Sequence, residues 1–110
     1  GYVENMAEWR AVSDLLLTKA GPGTLAEAAC LGLPTLIMDF VPGQEVGNIS
    51  WVESRGAGIY VREPAQAALL AEELLRPGNP RLAAMAVGAH ELARCNAAAQ
   101  IAEAALALWR

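Results

Sequence analysis

A chain of 110 residues with 55% apolar side chains is long enough for one small domain with a core of its own and too short for two. Eight Lys and Arg against twelve Asp and Glu leave a net charge of -4 with no basic stripe, which argues against nucleic acid as a partner and against attraction of this segment to anionic lipid. No apolar run approaches the ~20 residues that span a bilayer, Cys30 and Cys95 lack metal spacing, and His90 is the single histidine, so no metal site is expected.

Taken in order, Gly1-Tyr2-Val3 reads as the middle of something longer, and the chain is expected to be a single fragment, residues 1–110, of a larger protein without a signal peptide. In the absence of a secretory signal, and with Cys30 on a buried helix face, Cys30 and Cys95 are expected to be two free, reduced thiols. Met6 to Val12 is predicted to be a short helix, with Asn5 as its N-cap and Met6, Trp9 and Val12 turned inward. Leu15 to Thr18 is a first strand. A Gly-Pro-Gly turn and a helix to about Leu31 follow, ended by Gly32. Pro34 to Met38 is an unbroken apolar strand of the kind that parallel sheets cover on both faces.

Asp39 to Gly43 is a loop, and a helix from about Gln44 to Ser54 carries Val46, Ile49 and Val52 at helical spacing, with Trp51 either at the edge of the core or at an interface to a missing domain. Gly58 to Val61 is a third strand. Pro64 opens a helix to Leu75, and Arg76-Pro77-Gly78-Asn79-Pro80 breaks it. Leu82, Met85, Ala89 and Leu92 form one apolar stripe, and Ile101, Ala105 and Leu108 form another after an interruption at Asn96, so the last two helices read as packing elements. Strands alternating with helices in this way predict an α/β fold, a three-stranded parallel sheet with flanking helices. A doubly wound nucleotide-binding domain has about six strands in two halves, and this pattern corresponds to the second half.

The turn Gly21-Pro22-Gly23-Thr24 stands at a strand-to-helix junction, where unpaired backbone N–H groups and the positive end of the helix dipole favour an anion and glycines permit its close approach. Two readings stand side by side. If Pro22 is the first helical residue, Thr24 is already inside the helix and Glu27 lies one turn beyond Gly23, within reach of a sugar next to a bound phosphate. If instead Thr24 is the N-cap, Thr24 and Glu27 form a T-x-x-E capping box and no ligand is needed.

With Gly21-Pro22-Gly23-Thr24-Leu25-Ala26-Glu27-Ala28, then Gly32-Leu33-Pro34, then Pro42-Gly43-Gln44-Glu45-x-Gly47-Asn48, the chain resembles the donor domain of GT-B glycosyltransferases of the monogalactosyldiacylglycerol synthase and processive diacylglycerol glucosyltransferase group. It is similar, more distantly, to the N-acetylglucosaminyltransferase that completes the peptidoglycan lipid precursor. The likeness runs from about Tyr2 to Gly58. It implies a Rossmann-like GT-B C-terminal domain, of which this is the second half. It also implies a parent enzyme that transfers galactose or glucose from a UDP-sugar to a lipid, diacylglycerol, with inversion.

The resemblance gives roles to matching positions. Tyr2 and Val3 fall where an aromatic ring and a backbone amide meet the uracil. Gly21, Pro22, Gly23 and Thr24 hold the diphosphate, and Glu27 accepts from the ribose hydroxyls. Gln44 and Glu45 contact hydroxyls of the transferred sugar, and Asn48 supports their loop. Lys19, beside the turn, could add positive charge, and Asp39, at a strand end, is a minor candidate. Each has a plainer counterpart: Tyr2 covering a strand end, Lys19 a solvated loop charge, Gln44 and Glu45 an ordinary polar first turn, and His90 a surface residue rather than a base.

No metal and no cofactor besides the UDP-sugar donor are implied, and the catalytic base is expected in an acceptor-binding N-terminal domain that has no counterpart here. The parent is expected to be cytoplasmic and peripheral at the inner membrane face. The strand Leu15 to Thr18 is expected at an open sheet edge, and the fragment is expected to self-associate by pairing at that edge or by packing of exposed apolar helix faces. A competing reading from another class is a non-catalytic nucleotide-binding or interaction module of the same fold.

Overall fold

The computed structural model describes residues 1–109. Along them run α1 (Met6–Ala11), β1 (Leu16–Lys19), α2 (Pro22–Cys30), β2 (Thr35–Asp39), α3 (Val46–Glu53), β3 (Gly58–Tyr60), α4 (Pro64–Leu74), α5 (Pro80–Leu92) and α6 (Ala97–Leu108). The three strands form one parallel sheet in the order β1-β2-β3, with Leu16 opposite Thr35 and Thr35 opposite Gly58. The α/β class and the parallel sheet with flanking helices expected from the strand-helix alternation are what the structure contains.

β2 is central because its residues are apolar on both faces. Successive side chains of a strand point to opposite sides, and both Leu36 and Ile37 are 0% exposed. Ile37 joins Leu25 and Ala29 of α2, Val52 of α3, and Ala89 and Leu92 of α5 in one cluster. Leu36 joins Leu74 of α4 and Met85 of α5 in the other. The two layers of helix are therefore held by one strand. Packing is close enough that small residues are required: a Cβ on Gly88 of α5 would collide with the carbonyl oxygen of Arg55.

Helix ends follow from local chemistry. Proline occupies the first turn of α2, α4 and α5, where its missing N–H costs no helical bond. At the other end of α2 the chain turns through Gly32 with φ +63°, a left-handed conformation that suits glycine. The Leu33 N–H then reaches back to the Ala28 carbonyl at 2.9 Å and the Gly32 N–H to that of Ala29 at 3.0 Å, the paired bonds of a Schellman motif. His90 packs its ring over Gly32 and is otherwise exposed, a surface residue as expected.

Three expectations are corrected. Met6, Trp9 and Val12 do not turn inward; all three are exposed, and α1 buries none of its residues. The stripe of Ile101, Ala105 and Leu108 does not pack either, since α6 also buries none. In both cases the apolar spacing that makes a helix amphipathic is present, but no described element faces it. Thirdly, Cys30 and Cys95 are joined in a disulfide, with Cα atoms 5.5 Å apart. Cys30 ends α2 and is only half-buried, and Cys95 follows α5. The packing of α5 on α2 through Leu25, Ala29, Ala89 and Leu92 is what brings the two together.

β1 is at the edge of the sheet. The N–H groups of Leu16 and Ala20 bond to Pro34 and Asp39 on the β2 side, so by alternation the polar backbone groups of Leu17 and Lys19 face outward.

Candidate functional site

Because β1 and β2 are parallel and adjacent, with Lys19 opposite Asp39, the segments that leave them emerge side by side at the carboxyl end of the sheet. In open α/β sheets this is the end at which ligands bind. The Gly21 to Thr24 turn and the Val41 to Glu45 loop are therefore neighbours. Two side-chain bonds tie the segments to one another and a third closes the second loop on itself. Lys19 Nζ donates to Glu45 Oε1 at 2.6 Å, the Val41 N–H donates to Glu45 Oε2 at 2.7 Å, and Asn48 Nδ2 donates to the Ala20 carbonyl at 2.9 Å.

The turn takes the first of its two alternatives. Gly21 is the N-cap residue, Pro22 is the first helical residue, and no side chain caps the helix. Thr24 is thus inside α2, and the T-x-x-E capping box is not formed. The first helical bond runs from the Leu25 N–H to the Gly21 carbonyl at 3.0 Å, so the N–H groups of Gly23 and Thr24 precede any helical carbonyl partner. Nothing lies within 4 Å of where a Cβ on Gly23 would stand. The helix presents bare N–H groups, the positive end of its dipole and open space in one place.

Of the residues singled out in the sequence, Gly21, Pro22, Gly23, Thr24, Gln44, Glu45 and Asn48 are brought to this end. Gln44 is exposed, whereas Glu45 is only 6% exposed and has both carboxylate oxygens engaged. The hydrogen bond from Lys19 and then that from the Val41 N–H hold the Glu45 carboxyl below the ordinary carboxylate range, outweighing the opposite effect of burial. Asp39 is exposed at the end of β2 and accepts from the Phe40 N–H at 2.8 Å.

Glu27 and Tyr2 are placed differently. Glu27 pairs with Arg10 of α1 and lines a groove of about 430 Å³ together with Ala26, Cys30, Arg94 and Cys95, a groove that neither Gln44 nor Glu45 lines. Tyr2 is 94% exposed and contributes to no core, and Val3 beside it is half-buried. Arg10 was not singled out from the sequence. Its partner is distant in the chain, and one arginine in a short helix carries no local signal of the pairing.

Among the described residues no group of three or more His, Cys, Asp or Glu could hold a metal ion. No helix among them is long and apolar enough to cross a membrane.

Against known proteins, the family model of the glycosyltransferase family 28 C-terminal domain matches residues 1–105. The chain is 40% identical over 94 residues to a probable monogalactosyldiacylglycerol synthase 3, chloroplastic, of Oryza sativa subsp. japonica, covering 86% of this chain and 18% of that protein. It is 37% identical over 94 residues to monogalactosyldiacylglycerol synthase 3, chloroplastic, of Arabidopsis thaliana, covering 86% of this chain and 20% of the other. With a probable monogalactosyldiacylglycerol synthase, chloroplastic, of Nicotiana tabacum the identity is 38% over 101 residues, 92% of this chain and 19% of the relative. The chain thus spans no more than a fifth of the length of these curated relatives.

Proposed function

Because this chain belongs to the glycosyltransferase family 28 C-terminal domain family, we propose that it forms the UDP-sugar-binding part of an inverting enzyme that moves galactose or glucose onto a lipid acceptor, diacylglycerol. The observation that carries this reading is the uncapped N-terminus of α2, set beside the Val41 to Glu45 loop at the carboxyl end of the sheet. In the transfer, the acceptor hydroxyl attacks the sugar's anomeric carbon, the bond from that carbon to the diphosphate oxygen breaks, and UDP departs with added negative charge. Fixed N–H donors at Gly23 and Thr24 stabilise that charge more as it develops than in the ground state. A charge met by backbone dipoles in this way needs no metal cofactor. The base that takes the acceptor's proton belongs, in this proposal, to an acceptor-binding domain outside these 110 residues.

In the same proposal Gln44, exposed at the loop, meets the transferred sugar, and Asn48 ties α3 to the strand end beneath it. Tyr2 and Val3 meet the uracil. Glu27 meets the ribose by exchanging its Arg10 partner for two hydroxyls. The relatives are described as chloroplastic, so they lend no support to a cytoplasmic inner face, and we retain only peripheral attachment of the parent to the membrane that holds its acceptor. The outward backbone groups of β1 and the exposed apolar faces of α1 and α6 lead us to expect self-association of the 110-residue chain, which sedimentation as a monomer at high concentration would refute.

The test is Gly23→Ala. In a helix with open space at that position alanine is tolerated and stabilises by about 0.5 to 1 kcal/mol, while its methyl group occupies the approach of a diphosphate. The expected result is a protein at least as stable as the wild type that has lost most of its affinity for UDP in a calorimetric titration. Unchanged UDP affinity in that variant would remove the site. Binding of UDP without transfer to diacylglycerol by the full-length enzyme would favour a non-catalytic module.

A further inference from the structure

Glu45 is the one buried carboxylate among the described residues, and it is the side chain on which both loops converge. One oxygen takes the Lys19 ammonium and the other takes the Val41 N–H, at 2.6 and 2.7 Å. Each oxygen keeps a further lone pair, but the Glu45 side chain is only 8% exposed, and loss of the ammonium would leave a buried carboxylate without its counter-charge. Lys19 is the mobile side of the pair, with a side chain 57% exposed against 8% for that of Glu45. Yet its ammonium is not adrift. Nζ stands 3.4 Å from where a Cβ on Gly21 would be, over the turn itself. An ammonium has three N–H donors, and Glu45 occupies one.

We propose that Glu45 is a positioning residue, which holds the Lys19 ammonium over the Gly21 to Thr24 turn, a role distinct from contact with the transferred sugar. This rests on the donor-site reading above. Glu45 acts on the donor through Lys19, whose remaining N–H groups face a diphosphate at the turn. The Val41 bond sets the Glu45 carboxylate, and the carboxylate sets the lysine.

The two roles predict different ligand profiles. Titrations of the full-length protein with uridine, UDP and UDP-galactose would compare wild type, Glu45→Gln, Lys19→Met, Lys19→Arg and the double variant Glu45→Gln with Lys19→Met. As positioning residue, Glu45→Gln weakens UDP and UDP-galactose by the same factor, about tenfold on the scale of one charge-assisted hydrogen bond, and leaves uridine unchanged. Lys19→Met does the same, the double variant is no weaker than Lys19→Met alone, and Lys19→Arg restores binding. Loss of UDP-galactose affinity in Glu45→Gln with UDP affinity intact would make Glu45 a sugar contact and overturn the proposal. So would multiplicative losses in the double variant.

Should Glu45→Gln fail to fold, the exposed Lys19 pair of variants still decides. Lys19→Met binding UDP as the wild type does would overturn the proposal while leaving the donor site standing. A wild-type protein that binds neither UDP nor UDP-galactose would instead remove the donor-site reading, and the positioning role with it.

Discussion

The two loops at the carboxyl end of the sheet and the two outer helices, α1 and α6, are both marked in the sequence by clear local patterns, yet only the loops are rooted in the core. The loops leave strands whose roots are buried in both apolar clusters, and they are cross-linked by Lys19, Glu45 and Asn48. The helices bury no residue, and α6 carries Ile101, Leu106 and Leu108 exposed. A local pattern specifies an element; only a second element facing it makes that pattern worth stability. Function does not follow that division wholly, since α1 buries nothing and yet its Arg10 pairs with Glu27 of α2.

The sharpest break of this comparison is a pair of isoleucine substitutions. Ile37→Ala, in the strand beneath both loops, should cost roughly 2 to 5 kcal/mol, whereas Ile101→Ala on α6 should change stability by less than about 0.5 kcal/mol in urea denaturation. Equal costs would mean that α6 is packed after all. Next in size is the disulfide, which closes a separation of 65 residues between the end of α2 and the segment after α5. Reduction should lower stability by roughly 2 to 4 kcal/mol, and the Cys95→Ala variant should match the reduced wild type. If reduction leaves the urea midpoint unmoved, the link contributes nothing to the frame around α2.

The smallest effect is in acid. Glu45 has a folded pKa below its unfolded value, so its contribution to stability is full above the unfolded value and is lost as pH falls through the folded one. Thermal melts of wild type and Glu45→Gln should therefore converge at pH values below the ordinary carboxylate range and separate above it. A difference that stays constant across that window would show that Glu45 does not titrate in step with folding.

Much of the loop end was legible in the chain. Gly21-Pro22-Gly23 after a short apolar run indicates a strand-to-helix turn, and Pro22 as first helical residue decides against the capping box, because a proline that starts the helix puts Thr24 inside it. The strand boundaries came within one residue, Leu15 to Thr18 against Leu16–Lys19, since an apolar run marks burial and not the last ladder bond. What was not legible is everything that depends on distant residues meeting. The Arg10 to Glu27 pair, the Lys19 to Glu45 clasp and the disulfide between Cys30 and Cys95 leave no trace in local spacing. The expectation of reduced thiols rested on compartment and on Cys30 lying on a buried helix face, and neither bears on which residues the packing of α5 on α2 brings together. Likewise, Met6, Trp9 and Val12 were assigned inward because their spacing makes a helical stripe, and spacing alone does not supply a surface for the stripe to meet.

If the turn after β1 and the loop after β2 form one donor site, the backbone amide resonances of the isotopically labelled protein will report it as UDP is added. The amides of Gly21, Gly23 and Thr24 should shift first and furthest, together with those of the neighbouring 41–48 segment, while α6 stays still. Saturable shifts confined instead to the groove between Arg10, Glu27 and Arg94, with the Gly21 to Thr24 amides unmoved, would contradict it.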